Sequence, residues 1–148
     1  MKIRKMLFSD YNRVYTLWLN TPGMGLNDID DSETGIKKYL NRNPDTCFVA
    51  EKNNEIIGII LSGHDGRRGL IYHMAVKASE RKQGVASTLL EYAIESLRNE
   101  GIVKVYIMIF KDNEVGNEFW GKRGFTIPDE SIYRAREIAE IKHIVRNV

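Results

Sequence analysis

Apolar positions along the chain follow two rhythms. From Val85 to about Asn99 the spacing is helical, with Leu89, Leu90, Ala93, Ile94 and Leu97 on one side and Glu91, Glu95 and Arg98 on the other. Tyr11, Val14, Tyr15, Leu17 and Trp18 repeat that spacing behind Ser9, a capping residue type, and end near Asn20. A short third helix carries Ile36, Tyr39 and Leu40 between Ser32 and Asn43-Pro44. A fourth spans about Glu114 to Lys122 and bears Phe119 and Trp120. Between these lie strand-like runs: Met1 to Met6, Thr46 to Glu51, Glu55 to Ser62, Leu70 to Val76, Ile102 to Phe110, Gly124 to Ile127 and Ser131 to Ile138. Lys52-Asn53-Asn54 and Asp65-Gly66 read as hairpin turns, and Gly101 stands where a helix-ending glycine would. Ile102 to Phe110 is the most apolar run and reads as a central strand. For 139–148, strand, helix and coil stay open. The order is β-α-α-β-β-β-α-β-α-β-β, a mixed α/β sheet that begins with hairpins and becomes parallel.

Bulk properties narrow this picture. A chain of 148 residues reads as one domain, 1–148, able to bury a proper core. Its net charge is +2, from 22 basic and 20 acidic residues, a balance that argues against nucleic acid or an anionic membrane as main partner. Cys47 is the only cysteine, and His143 lacks metal-ligand spacing to the other histidines, so no metal is expected. The longest uncharged apolar run, Ile56 to Gly63, is far short of the ~20 residues that span a bilayer, and Met1 to Asp10 lacks the apolar core of a secretory signal. These features point to a cytoplasmic protein.

The most informative stretch is Arg81-Lys82-Gln83-Gly84-Val85-Ala86-Ser87, between a strand and the longest helix. A glycine turn there aims free N–H groups and the positive helix end at an anion. A dinucleotide site fits poorly. The third glycine of Gly-x-Gly-x-x-Gly is missing, and Met108 and Phe110 stand where an acidic residue should end the next strand.

Arg81, Gly84 and Ala86, read as Arg-x-x-Gly-x-Ala at this junction, resemble the central motif of the GNAT superfamily of acyl-CoA-dependent N-acyltransferases. Asn113 followed by Phe119-Trp120-Gly121-Lys122-Arg123-Gly124-Phe125 resembles that family's later Asn and Phe-Tyr-x-x-x-Gly-Phe motif. The likeness runs to about Ile138. Tyr72-His73-Met74-Ala75-Val76 and Phe119-Trp120 are similar to a bacterial branch related to ribosomal-protein alanine N-acetyltransferases.

The resemblance implies acetyl-CoA as donor, held at its pyrophosphate by Arg81, Lys82 and the turn from Gln83 through Gly84, Val85 and Ala86 to Ser87. It implies pantetheine contacts along Met74, Ala75 and Val76, with Asn113 and Trp120 also on the cofactor side. It gives the Met74 N–H the part of oxyanion donor. It implies transfer to a primary amine, of a small molecule or a protein, by direct attack in a ternary complex. Protein N-terminal or lysine acetylation, and a non-catalytic acyl-CoA sensor, are the alternatives. Dimers are common in the family, so a homodimer stays open.

The chain also departs from its relatives. Trp120 stands where many members carry a Tyr that protonates the departing thiolate, and an indole does not titrate. Met108 stands where the alanine-acetylating subgroup has a Glu. Deprotonating an alkylammonium of pKa about 10.4 costs about 4 kcal/mol at pH ~7.5, so the missing base matters more than the missing acid. Tyr72, His73, His64 and Asp65 are the remaining candidates. By alternation Tyr72 shares a face with Met74, while His73 points the other way. Asp65 belongs either to a hairpin turn or to the acceptor side. Asp28, Asp30 and Asp31 lie in the loop that lines the acceptor side in this family, either to attract a cationic amine or as a solvated loop.

Overall fold

The computed structural model describes residues 1–144. Five strands form one sheet in the order β1 (Lys2–Lys5), β2 (Phe48–Lys52), β3 (Glu55–His64), β4 (Gly69–Val76) and β5 (Val105–Ile107). The first four pair antiparallel, and β4 pairs parallel with β5. Asn53 and Asn54 both take left-handed dihedrals between β2 and β3, which gives the twist of a tight primed hairpin turn.

Helices α1 (Tyr11–Leu19) and α2 (Glu33–Arg42) cover one face. Val14, Leu17, Trp18, Ile36 and Leu40 pack there against Val49, Ile59, Leu61 and Ala75. Helices α3 (Val85–Asn99) and α4 (Glu114–Lys122) cover the other. Val85, Leu89, Leu90, Ala93 and Trp120 pack against Ala50, Ile57, Ile60 and Ile71. The first turn of α3 approaches the sheet at Gly58, where a Cβ would lie 2.9 Å from Leu89 and 3.0 Å from Val85.

Ser32 caps α2 as its sequence position suggests, accepting from the Gly35 N–H at 3.1 Å. Ser9 does not cap α1. It lies in a 3₁₀ turn, Phe8–Asp10, and the buried Asp10 binds the Leu7 N–H, Arg4 and Arg13.

The Ile102 to Phe110 run differs most from expectation. Its strand is only Val105–Ile107 and, among the described residues, stands at the edge of the sheet. Ile102, Val105, Ile107 and Ile109 turn toward the α3 side, while Tyr106, Met108 and Phe110 are exposed. A one-sided strand thus read as a two-sided one. The two strands expected at Gly124–Ile127 and Ser131–Ile138 are absent. Gly124 closes the end of α4 at φ +88°, and Ile127, Ile132, Tyr133 and Ile138 are exposed without strand partners. Three of the eight residues 131–138 are charged and 132–138 keep no clean alternation, so a single sheet face cannot bury them. Instead the chain crosses to the α1–α2 loop, where the Asp28 N–H donates to Lys142 O at 3.0 Å and the Ile144 N–H donates to Leu26 O at 3.0 Å. Residues 139–144 are otherwise irregular, and 145–148 lie outside the described residues.

Candidate active site

Strands β4 and β5 pair only from Gly69 to Ile71 against Val105 to Ile107. Beyond that point they diverge. Tyr72 to Val76 therefore runs on with β3 on one side and open space on the other. The bottom of this splay carries a register shift: Leu61 pairs with His73, but Ser62 pairs with Ile71, so Tyr72 is an extra residue in β4. Such a bulge reverses alternation on one strand and re-aims its side chains.

The Lys77 N–H donates to Ile57 O at 2.8 Å, so Lys77 faces β3. Antiparallel ladders alternate, so Ala75 and His73 also turn their N–H groups to β3, and Met74 and Val76 turn theirs into the splay. Arg81 Nε donates to Val76 O at 3.3 Å from that open side, which agrees. Without the bulge, the Met74 N–H would point at β3.

The bulge also corrects the expected side-chain faces. Tyr72 packs edge-on against Tyr39 of α2, with centroids 5.7 Å apart, while Met74 packs with the α3 cluster. His73 lies on the Tyr72 side, 4.9 Å from the ring of Trp18. Tyr72 and Met74 thus occupy opposite faces, and Tyr72 and His73 share one.

The turn above β4 has the form of an anion cradle. Gly84 is the N-cap of α3 at φ +81°, and Lys82 is also left-handed at φ +63°. A left-handed lysine costs of order 1–3 kcal/mol, a strain that concentrates in functional loops. A Cβ on Gly84 would meet nothing within 4 Å, so the space over the turn is open. The first N–H groups of α3 have no acceptor within the helix. No acidic residue occupies its first turn. This charge, shape and opening suit a diphosphate.

The acetyltransferase (GNAT) family model matches residues 7–125. The chain belongs to the GNAT family. An acetyltransferase of Pectobacterium atrosepticum is 35% identical over 114 residues, covering 77% of this chain and 79% of that protein. An acetyltransferase of Sodalis glossinidius is 30% identical over 140 residues, covering 95% and 97%. Among solved structures, the ribosomal-protein-S18-alanine N-acetyltransferase from Escherichia coli superposes with a TM-score of 0.69 at 16% identity, over 83% of this chain and 76% of that one.

Around the GNAT splay, the expected residues fall into three groups. Arg81, Lys82, Gln83, Gly84, Val85, Ala86 and Ser87 form the cradle, and Met74, Ala75 and Val76 run along the open edge of β4. Tyr72 is 46% exposed at the base of the splay, and Met108, 50% exposed, is the first residue beyond β5. Burial, and after it the negative charge of Asp30, push the Tyr72 phenol above its ordinary value.

The second group, Asn113 and Trp120, stands at the two ends of α4. Trp120 is 7% exposed, wedged edge-on between Phe119 at 5.0 Å and Phe125 at 5.1 Å. Asn113 caps α4, its Oδ1 accepting from the Gly116 N–H at 2.9 Å.

The third group comprises the expected carboxylates and histidines, which hold hydrogen bonds within the protein. Asp65 accepts from the Arg67 and Arg68 N–H groups, both at 2.8 Å, and closes the β3–β4 hairpin, about 23 Å of strand from the cradle. His64 bonds Glu100 and the Gly66 N–H in that hairpin. The Asp-Gly signal thus marks a hairpin turn. Asp28 binds the Lys142 N–H at 2.7 Å. Asp31, 4% exposed, accepts from the Asn27 N–H at 2.8 Å and meets His73 Nε2 at 2.7 Å, so the 9%-exposed His73 is a buried anchor for this loop. Asp28 and Asp30 are both exposed, and Asp30 accepts from Asn27 Nδ2 at 3.0 Å.

The loop itself spans the mouth of the splay. A Cβ on Gly25 would lie 2.9 Å from the Phe110 ring, and one on Gly23 3.4 Å from Asn113. A separate groove of about 550 Å³ opens between α1 and the Glu55 and Lys77 ends of β3 and β4, but Lys77 is paired with Glu55 and Arg13 with Asp10. Sequence reasoning missed Arg123, whose Nη2 donates to Ser87 Oγ at 2.6 Å. Its place in the second motif was visible, but its reach across to α3 was not. Among the described residues, no His, Cys, Asp and Glu cluster could hold a metal, and no helix is long and apolar enough to cross a membrane.

Proposed function

We propose that this GNAT enzyme transfers the acetyl group of acetyl-CoA to a primary amine by direct attack in a ternary complex. The observation that carries the reading is the pairing of an open splay, into which the Met74 N–H points, with a strained glycine cradle at its end. The donor's pyrophosphate would sit on the N–H groups from Gln83 to Ser87, and its arm would lie along Met74 to Val76. The amine would enter past the α1–α2 loop. A C–N bond forms as the C–S bond breaks, and the Met74 N–H stabilises the transient oxyanion.

Tyr72 is protonated at neutral pH and so acts as a donor to the departing sulfur. Among the described residues no general base is assigned in the splay: His73 is buried against Trp18 on the α1 side of the sheet, and Met108 cannot accept a proton. The ammonium therefore loses its proton to solvent on entering the site. Asp30, the exposed loop carboxylate whose charge reaches Tyr72, favours a cationic acceptor.

The test joins calorimetry with acetyl-CoA and a thiol-release screen over peptides, polyamines and amino acids. Gly84→Val should weaken acetyl-CoA binding at least tenfold while the protein stays folded. Unchanged affinity would mean that the cradle is misassigned. Binding without thiol release on any amine would point to a sensor instead.

A further inference from the structure

The cradle assignment leaves one cation unaccounted for. Arg123 follows α4 directly. Its guanidinium lies 3.7 Å from the centroid of the Phe119 ring, its Nη1 donates to Phe119 O at 3.1 Å, and its Nη2 donates to Ser87 Oγ at 2.6 Å. These partners are a ring face, a carbonyl and a hydroxyl, and none is an anion. Ser87 is in the first turn of α3, so the charge sits at the positive end of a helix dipole, where cations are disfavoured. Arg81 and Lys82 add two further positive charges to the same turn. The arrangement becomes favourable when an anion lies among them.

We infer that Arg123 and Ser87 form a second phosphate subsite beside the pyrophosphate cradle, serving the ribose 3′-phosphate of the donor nucleotide. The inference rests on the acetyl-CoA reading. The pyrophosphate takes the N–H groups around Gly84 on the β4 side of the turn. Arg123 arrives from the α4 side and reaches the side chain of Ser87, three residues past Gly84. A phosphomonoester dianion matches the fork of a guanidinium, and the Ser87 hydroxyl, which accepts from Arg123, keeps its proton to donate. Stacking on Phe119 holds the fork in place before the ligand arrives.

Calorimetry with acetyl-CoA and with 3′-dephospho-acetyl-CoA separates the possibilities. The wild-type protein should bind acetyl-CoA at least tenfold more tightly. Arg123→Gln should lose most of that preference, weakening acetyl-CoA about tenfold and the dephospho donor less than twofold. Arg123→Lys, which keeps the charge and guards against loss of fold, should retain part of the preference. Equal weakening of both donors, or full discrimination retained in both variants, would overturn the subsite and leave the cradle standing. If neither donor binds the wild-type protein, the acetyl-CoA reading fails, and the subsite with it.

Discussion

In the proposed reaction, Tyr72 is the residue on which the chemistry turns. Its phenol is held above the ordinary value by burial and then by Asp30, so it stays protonated through neutral and mildly alkaline pH. A donor of this kind is lost only as pH rises through that raised value. Tyr72→Phe should therefore lower kcat about 10²-fold, within the usual span for general acids, and leave the acetyl-CoA Kd unchanged. If instead Kd rises and kcat holds, Tyr72 positions the donor. For the wild-type enzyme, kcat/KM should climb between pH 7 and 9 in step with the free-amine fraction of the acceptor. A plateau set near neutral pH for acceptors of different pKa would reveal a base on the enzyme. Trp120→Tyr should change turnover little, because Trp120 is enclosed by Phe119 and Phe125.

At the scale of elements, β4 does most to set the site. One unpaired residue, Tyr72, moves His73 onto the α1 face and sends the Met74 N–H outward. Alternation alone placed both side chains wrongly, since a bulge is specified by the partner strand's register and leaves no local composition signal. The α1–α2 loop is held to β4 through Asp31 and His73. Asp31→Asn should cost about 2 kcal/mol, the loss of charge-assisted bonds to a buried group, seen as a fall of ~4–8 °C in Tm. The amine KM should rise, and the acetyl-CoA Kd should stay put because the cradle lies across the sheet. A matching rise in both would mean that the loop supports the donor side as well. The helices were legible because their caps and periods are local: Ser32, Asn43-Pro44 and Gly101 all mark their ends.

For the molecule as a whole, the cradle was readable because a glycine turn between strand and helix is written contiguously. The edge position of β5 and the unpaired 124–138 segment were not, because both depend on which distant strand, if any, claims a free edge. Burial pushes the Tyr11 phenol up to about 12 and the Cys47 thiol up to about 12. Both are raised on folding, so their stabilising contribution is complete below about pH 9, the lower of the two unfolded values, and falls away as pH rises toward 12. Urea midpoints should hold steady from pH 7 to 8.5 and decline steeply from 10 to 12; a flat alkaline limb would contradict the burial. The placement of the two tryptophans gives the protein built-in optical reporters. Trp18 touches His73 beneath the α1–α2 loop, and Trp120 packs with Phe119, Phe125 and Val85 on the α3 side. Fluorescence from a variant retaining Trp18 alone would follow amine entry, and from one retaining Trp120 alone donor entry, so the order of substrate addition can be watched without a label.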